Sequence, residues 1–483
     1  MIALMNRTLP RPTGRGSPHW ILACVLTLSA CALGPEYQRP AIEIPAAFKE
    51  SRDWKPAQPR DESDRGAWWL VYNDPILSDL EVQIDLSNQT LKAAAAAYVA
   101  AQAVTKEVQS GLYPAVSVGT SASRYAGDAA PSPAGPAYDL TSTVTWTPDF
   151  WGRVRRTLES DTALAEASAA DLASARLSLQ TELASDYFEL RAQDELIRIL
   201  QATAAANDRT LRLAKSQYTA GFATQVDIFA AQAQLESAKA QAINAGVKRA
   251  QMEHAIAVLV GKSPASFTLA LQAFTPTIPV IPVSVPSGLL ERRPDIAAAE
   301  RGVISANAKI GIAEAVWFPD VTLSGATGVT GSVLGTLLQA ANGWWGIGTA
   351  LSQTVFDAGA RQATIEQTKA EYDKSVATYR QTVLSAFKDV EDQLVSQRIL
   401  AEQVASQGAA LQAARSAQTL ALQQYAQGLG PYDSVITAQM VTLSNEKESL
   451  DLTRARLAAS IALIGAWGGG WTDTTPQTVK LSE

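Results

Sequence analysis

The sequence predicts a mainly α-helical fold with a small β part, in which one series of elements occurs twice: a helix, two strands and a long helical hairpin. A seven-residue stride of apolar or aromatic residues, a glycine that ends it, and the return of both features later in the chain support this prediction. A strict seven-residue stride is typical of an underwound helix that packs as a coiled coil. The stride consists of Leu183, Leu190, Ile197, Ala204, Leu211 and Tyr218.

The first hairpin is predicted from about Val154 to Gly261. Gly221 interrupts the stride, as a glycine at a helix end does, and Thr224 can cap a return arm that starts near Gln225. An arm of about 65 residues at ~1.5 Å per residue has a length of roughly 100 Å.

The same turn pattern returns 207 residues later, because Tyr218-x-x-Gly221 pairs with Tyr425-x-x-Gly428. This second hairpin is predicted to turn at Gly428 to Pro431, with Gly430 inside the turn, and to end near Trp467. A repeat of this length indicates a duplicated protomer, since a solenoid unit has about 20–50 residues.

Each hairpin is preceded by one predicted helix and two predicted strands. Small polar and apolar residues alternate in these strands, which favours a sheet with one face toward water. The predicted segments are a helix over 76–111 with strands over 113–124 and 138–150, then a helix over 287–316 with strands over 318–331 and 344–356.

Composition shifts divide the chain further. A stretch rich in proline and charge follows the N-terminus, and a second proline-rich stretch separates the two repeats. The predicted domains are a signal peptide 1–30, an extended arm 31–75, a first repeat 76–274, a linker 275–286, a second repeat 287–467 and a tail 468–483.

The first thirty residues have the pattern of a signal peptide, with three arginines and no acid followed by the apolar run Trp20–Leu28. Leu28-Ser29-Ala30-Cys31 resembles a bacterial lipobox, in which the cysteine is acylated, for example with palmitate, and becomes the new N-terminus. Ala32 at the next position favours sorting to the outer membrane by the same resemblance. The alternative is an ordinary secreted protein that is cleaved near Ala30 and carries an incidental cysteine.

The composition argues against nucleic-acid binding and gives little support to an enzyme. The net charge is −7, and the three arginines of the signal segment leave the remainder more acidic still. The chain has two histidines, His19 in the signal and His254 on a predicted helix, and no Cys/His spacing typical of a metal site. We therefore expect no catalytic site, no metal and no cofactor.

Four strands of about 12 residues could cross a bilayer if they are tilted. Backbone groups cannot remain unpaired in lipid, and four strands cannot close into a barrel, because small barrels need about eight. Several copies would then have to share one barrel. A soluble four-stranded sheet packed on helices is the alternative, and the periodicity of the hairpins does not distinguish a hollow tube from a solid rod.

A resemblance to a known family rests on the stretch Leu289–Ile296, which contains Arg292-Arg293-Pro294-Asp295, and on Ala306–Gly311 and Phe318-Pro319. Together with the Tyr-x-x-Gly turns, these residues resemble the signature of outer-membrane efflux proteins of the TolC/OprM class, in particular the lipoprotein, NodT-type branch. The resemblance extends from Cys31 to about Trp467.

The resemblance implies a homotrimer in the cell outer membrane that forms a twelve-stranded barrel and a long periplasmic α-barrel. Such proteins are the exit ducts of tripartite pumps, together with a periplasmic adaptor and an inner-membrane transporter, here of the RND type. They pass drugs or other small solutes outward without chemistry. A duct for type I protein secretion and a structural coiled-coil lipoprotein without a lumen are the alternatives.

In this family the periplasmic helix ends close the duct at rest. Related channels carry an acid shortly after the second-turn glycine, but here Gly430 and Pro431 occupy that place. The resemblance therefore gives Leu429, Tyr432 and Asp433 as gate candidates. Asp227 matches the first-turn acid of the family, although it can equally be a local capping residue.

Overall fold

The structure is a computed structural model that describes residues 32–42, 66–126, 135–279 and 293–469. The predicted signal peptide, the acylation residue Cys31 and Arg292 of the signature lie outside the described residues. The helices are α1 Pro75–Ser87, α2 Gln89–Ser110, α3 Arg153–Thr219, α4 Gln225–Leu259, α5 Pro294–Ala315, α6 Ala360–Ala426 and α7 Tyr432–Ala466; the strands are β1 Ala115–Tyr125, β2 Gly135–Trp146, β3 Asp320–Gly331 and β4 Gly343–Ser352.

The two helical hairpins repeat each other in length, which confirms the predicted duplication. Helices α3 and α6 have 67 residues each, and their return arms α4 and α7 have 35 residues each. Of the six stride residues, Leu183, Leu190 and Leu211 are buried and Ile197 and Ala204 are half-buried, as the seven-residue stride predicts. Tyr218, at the end of the arm, is 48% exposed. No helix within the described ranges contains a stretch that is apolar and long enough to span a bilayer.

The prediction of a single helix over 76–111 is wrong, because two helices occupy this stretch. Asn88 adopts an extended conformation between them and separates α1 from α2. Its side-chain oxygen accepts a hydrogen bond from Leu91 N at 2.9 Å, and its amide nitrogen donates to Leu259 O at 2.7 Å. An asparagine that caps one helix and also binds the end of α4 stabilises the break.

The four strands form one antiparallel sheet in the order β1-β2-β3-β4. Strand ends differ from the sequence prediction by a few residues, and β4 is the clearest case. It was predicted to extend to Phe356 but ends at Ser352, which pairs with Asp320, the first residue of β3. Beyond that pair the neighbouring strand offers no further hydrogen-bonding partners.

The chain divides into two compact units. The strand unit comprises residues up to 38, 103–163 and 304–373, and it contains the sheet. The hairpin unit comprises 39–102, 164–303 and 374 onward. Each unit combines segments of both repeats. The domain boundaries that the sequence analysis places between the repeats stay a prediction.

The core of the hairpin unit gathers around α1 and a short 3₁₀ turn, Trp68–Tyr72. Asp74 caps α1 by accepting hydrogen bonds from the backbone of Ile76 and Leu77, and its second oxygen accepts a 2.7 Å bond from Tyr187 Oη. The helix thus begins at a carboxylate that is also bound to α3.

A buried ionic network holds the extended segment after α4 in the same unit. Asp194 accepts hydrogen bonds from Arg191 at 3.0 Å and from Arg249 at 2.6 Å. The two guanidinium groups also donate to the backbone carbonyls of Ala270 and Leu269. Pairing and hydrogen bonding offset the cost of burying these charges, although Arg191 Nε has no partner among the described residues.

Candidate functional site

The two hairpin turns have the same backbone geometry. Gly221 has φ of +81° and Gly428 has φ of +73°, a region that glycine adopts without steric cost. In both turns the residue after the glycine donates its N–H to a carbonyl five residues earlier, Phe222 to Gln217 and Leu429 to Gln424. Such a bond closes a helix C-terminus. Gly430 lacks a positive φ, so this turn does not require a glycine there for its backbone conformation.

Asp227 occupies the first turn of α4 and completes a capping box with Thr224. Its carboxylate accepts a 2.7 Å hydrogen bond from Thr224 N, and Thr224 Oγ1 accepts one from Asp227 N at 3.3 Å. The negative charge at a helix N-terminus is stabilising as well. The capping role anticipated from the sequence is therefore present in the structure.

The ends of both hairpins share an apolar cluster, named here the tip cluster. Gln217 of α3 donates a 3.0 Å hydrogen bond to Ala426 O of α6 beside it, so the first hairpin is bound to the second. Tyr425 and Tyr432 pack their rings at 5.2 Å between centroids. The tip cluster consists of Leu211, Ala214, Ala231, Leu235, Tyr425, Tyr432 and Val435.

Electrostatics couple Asp227 to this cluster. Burial first, then the charges of Tyr425 and Asp227, raise the pKa of Tyr432 to about 12. Burial first and Asp227 second also raise the pKa of Tyr425. The carboxylate of the first hairpin therefore disfavours ionisation of both phenols of the second.

The four gate candidates have different surroundings. Leu429 is 75% exposed and Asp433 is exposed, whereas Tyr432 is only 3% exposed because its ring lies in the tip cluster. Asp227 is half-buried in its capping box. The assignment of these residues to a gate stays a prediction.

The described part of the signature joins three helices. Pro294 is the first residue of α5, a position where its missing N–H costs nothing. Arg293 donates two hydrogen bonds to Asp295 and a third, of 3.1 Å, to Ala466 O at the end of α7. It also lies 3.6 Å from the Asp389 carboxylate of α6. These contacts indicate a stabilising role for the motif.

The sheet has two free edges, β1 and β4. Neither pairs with a further strand within the portion of the chain that the structure describes. Both edge strands carry large apolar side chains that are exposed to solvent. Examples are Val118 of β1 and Trp345 and Ile347 of β4, and Ile347 is 83% exposed. An apolar sheet with open edges needs a partner that pairs its backbone and covers its face.

Sequence reasoning missed several residues with special surroundings. Glu81 of α1 is fully buried, and neither of its carboxylate oxygens has a hydrogen-bond partner among the described residues. Nothing in the local sequence distinguishes it from a surface acid. Asn307 and Gly311 were noticed only as parts of a motif, although their spacing of four places them on one face of α5.

These features define a class of subunit that is incomplete alone: two paired helical hairpins with glycine turns and an open, apolar four-stranded sheet. The outer membrane efflux protein family model matches residues 82–262 and 285–469, one stretch for each repeat. The chain belongs to the outer membrane efflux protein family. It is accordingly an outer-membrane protein of an efflux system.

Individual relatives cover almost the whole chain. The toluene efflux pump outer membrane protein TtgF of Pseudomonas putida is 29% identical over 472 residues, 94% of this chain and 97% of the relative. The probable outer membrane lipoprotein SilC of Salmonella typhimurium is 27% identical over 454 residues, 94% and 98% respectively. The solved outer-membrane channel OprN superposes with a TM-score of 0.81 at 29% identity, over 91% of this chain and 100% of that one.

Proposed function

We propose that this chain forms, as a homotrimer, the outer-membrane channel of a tripartite efflux pump and serves as a passive exit duct for small solutes. The sheet supports the trimer most directly. Its strands alternate in direction, and both edges are open in the protomer. In lipid every backbone N–H and C=O must be paired, so an open edge has to find a partner.

The topology fits a closed ring of copies. With four antiparallel strands in sequential order, β4 of one copy can pair with β1 of the next and continue the alternation. Three copies give twelve strands, above the roughly eight that a small barrel needs. The exposed apolar side chains of β1 and β4 would then face lipid or a neighbouring strand.

The helices offer a second surface for a neighbouring copy. Along α4, Val226, Phe229, Ile243 and Val247 are large apolar residues that remain exposed in the protomer. The three steps between them are 3, 14 and 4 residues, which match the three-and-four alternation of a heptad and two whole heptads, so these side chains follow one seam of the helix. A partner helix on that seam would enlarge the two hairpins of each copy into a tube.

The partners follow from the proposed role. A duct in the outer membrane has no energy source, so it needs an inner-membrane transporter, here of the RND type, and a periplasmic adaptor. The name of the relative TtgF attributes toluene to that protein, and apolar or amphipathic small molecules are the substrate class that we propose here. Acylation at Cys31 would anchor the chain in the outer-membrane lipid, in line with the lipoprotein name of SilC.

For the gate we propose that Leu429 and Asp433 line the periplasmic aperture, while Asp227 and Tyr432 hold the two hairpin ends together behind it. The exposed pair can reach a bore, and the buried tyrosine can act only through the tip cluster. Three Asp433 carboxylates around one axis would favour cations.

Single-channel conductance of the purified protein in a planar bilayer tests both proposals. A conducting trimer supports the duct. Because a resting duct can be closed by its gate, absence of conductance in both the wild type and the gate variant would indicate a rod without a lumen. Asp433→Ala combined with Tyr432→Phe should increase conductance, and Glu448→Gln, an exposed acid further along α7, should leave it unchanged. Unaltered conductance in the double variant would exclude these residues from the gate.

Drug-susceptibility profiling of a deletion strain separates solute efflux from protein secretion. Increased susceptibility to solvents or dyes, restored by the wild-type chain, is the result expected for efflux. Normal susceptibility together with loss of a secreted polypeptide would instead indicate a secretion duct.

A further inference from the structure

The first described residues of the chain, 32–36, lie against the strand unit and are bound to it by hydrogen bonds. Leu33 N donates a 3.3 Å hydrogen bond to Trp151 O. Arg156 donates from Nε to Leu33 O at 2.9 Å and from one terminal nitrogen to Gly34 O at 3.3 Å. Asn307 donates from its side chain to Pro35 O at 2.8 Å. Three successive backbone carbonyls of the segment are thus bound by side chains.

Glycines make the approach possible on both sides. Gly34 has φ of +96°, and a side chain there would collide with the backbone of Gly311 in α5. A Cβ on Gly311 would in turn lie 2.6 Å from Leu33 O. At the other end, a Cβ on Gly152 would come within 2.7 Å of the Cα of Ala32. The segment therefore lies directly against two stretches of backbone.

Arg156 is the charged residue that recognises the segment. It is only 3% exposed, and its guanidinium also pairs with Glu36 at 2.9 Å and Glu159 at 2.7 Å. A buried guanidinium is costly unless its donors are satisfied, and here the N-terminal segment supplies three of the acceptors. We name Gly152, Arg156, Asn307 and Gly311 the N-terminal seat.

The seat adjoins an aromatic pair at the strand–helix junction. Trp151, whose carbonyl binds Leu33, stacks on Phe318 at 4.8 Å between ring centroids. Its indole N–H donates to Pro319 O at 2.8 Å. An amphipathic indole fixed between strand ends is suited to the boundary between membrane and water.

We propose that the N-terminal seat binds the first residues of the mature chain and thereby fixes a membrane anchor attached ahead of Ala32 at this junction. The anchor is then a rigid part of the channel wall and not a loose tether. This inference rests on the proposed acylation of Cys31 for the identity of the anchor. The recognition itself uses backbone carbonyls and Glu36, so it does not need the lipid.

Hydrogen-exchange mass spectrometry of the full-length protein in detergent tests the seat. In the wild type the Leu33 amide, whose N–H donates to Trp151 O, should exchange slowly, and this is read from the peptide that covers residues 32–38. Gly311→Ala should speed its exchange at least tenfold, because the added methyl group displaces Leu33 O. Gly302→Ala is the matched control on the same helix, since a Cβ there meets only Ser375 Oγ at 3.9 Å.

Asn307→Ala provides a milder variant that removes one hydrogen bond without new bulk, and it should give a smaller acceleration in the same peptide. Fast exchange of the Leu33 amide in the wild type would overturn the proposal. Equal acceleration of exchange by Gly311→Ala and Gly302→Ala would also overturn it, because that result would show a general loss of structure in α5 and not a loss of the seat.

The Cys31→Ser variant separates the seat from the anchor. If the seat recognises the peptide, the Leu33 amide remains protected in this variant even though mass spectrometry finds no acyl group. Loss of protection would show that the lipid, and not the seat, holds the segment, and would overturn the inference. Channel conductance is measured independently, so a failure of the proposed duct would leave the exchange result interpretable.

Discussion

The buried carboxyl of Glu81 makes the stability of the hairpin unit depend on pH. Its side chain is fully buried in α1, and burial first, then the charge of Asp85, raises its pKa from the ordinary value of 4.5 to about 9. At neutral pH the folded chain therefore keeps this carboxyl protonated. In the unfolded chain it ionises.

This difference has a defined sign. The raised pKa costs no stability below about pH 4.5, where both states are protonated, and destabilises the folded state progressively up to about pH 9. Each pH unit corresponds to ~1.4 kcal/mol, so the cost at pH 7.5 is on the order of 4 kcal/mol. For a chain of 483 residues this free energy corresponds to roughly 4 °C in melting temperature.

Glu81→Gln keeps the shape of the side chain and removes the ionisation. We expect the variant to match the wild type near pH 4.5 and to exceed it by about 4 °C at pH 7.5, as measured by thermal unfolding of the detergent-solubilised protein. Asp79→Asn, an exposed acid on the same helix, is the control and should have little effect at any pH. A Glu81→Gln advantage that did not grow with pH would refute the assignment of a neutral buried carboxyl.

Three further predictions concern the hairpins and their core. Gly221→Ala should destabilise the protein by about 1–2 kcal/mol, because Gly221 has a positive φ. Gly246→Ala inside α4 should stabilise it by up to ~1 kcal/mol, because a Cβ there meets nothing within 4 Å. Thermal unfolding of the two variants tests whether their effects are opposite in sign. Tyr72→Phe removes a buried 2.8 Å hydrogen bond to a serine and should lower the free energy of unfolding by about 1 kcal/mol. Tyr425→Phe removes a hydroxyl that has no partner within the described ranges and should be neutral or stabilising. Equal losses of stability in the two variants would contradict this contrast. Asp194→Asn leaves the buried Arg191 and the partly buried Arg249 without their shared carboxylate. It should cost about 3–5 kcal/mol, visible as a lowered denaturation midpoint.

The long helices and their turns could be predicted from the sequence because their signals are local. A seven-residue stride requires no knowledge of the partner. The glycines three residues after Tyr218 and Tyr425 interrupt a helical pattern, which is a local signal of a helix end. The strands were also located, but their ends depended on where the neighbouring strand stops. Ser352 ends β4 because Asp320 begins β3.

The remaining features depend on partners far away in the chain. The break at Asn88 is stabilised by Leu259, 171 residues later, and the N-terminal seat joins Pro35 to Asn307, 272 residues later. Tyr432 was placed among the gate candidates by its position after the turn. Its inward orientation follows from the packing of four helix ends, which a single-helix pattern does not encode.

The equal arms of the two hairpins have an evolutionary consequence. In each hairpin the first arm has 67 residues and the return arm has 35. The contacts between Tyr425, Tyr432, Leu211 and Leu235 require that the two turns lie at the same position along the helix axes. Losing a heptad from one hairpin would shift its turn by about 10 Å and separate these side chains. Length variation in such a duplicated gene is therefore expected to occur in matched pairs of insertions or deletions, one in each half.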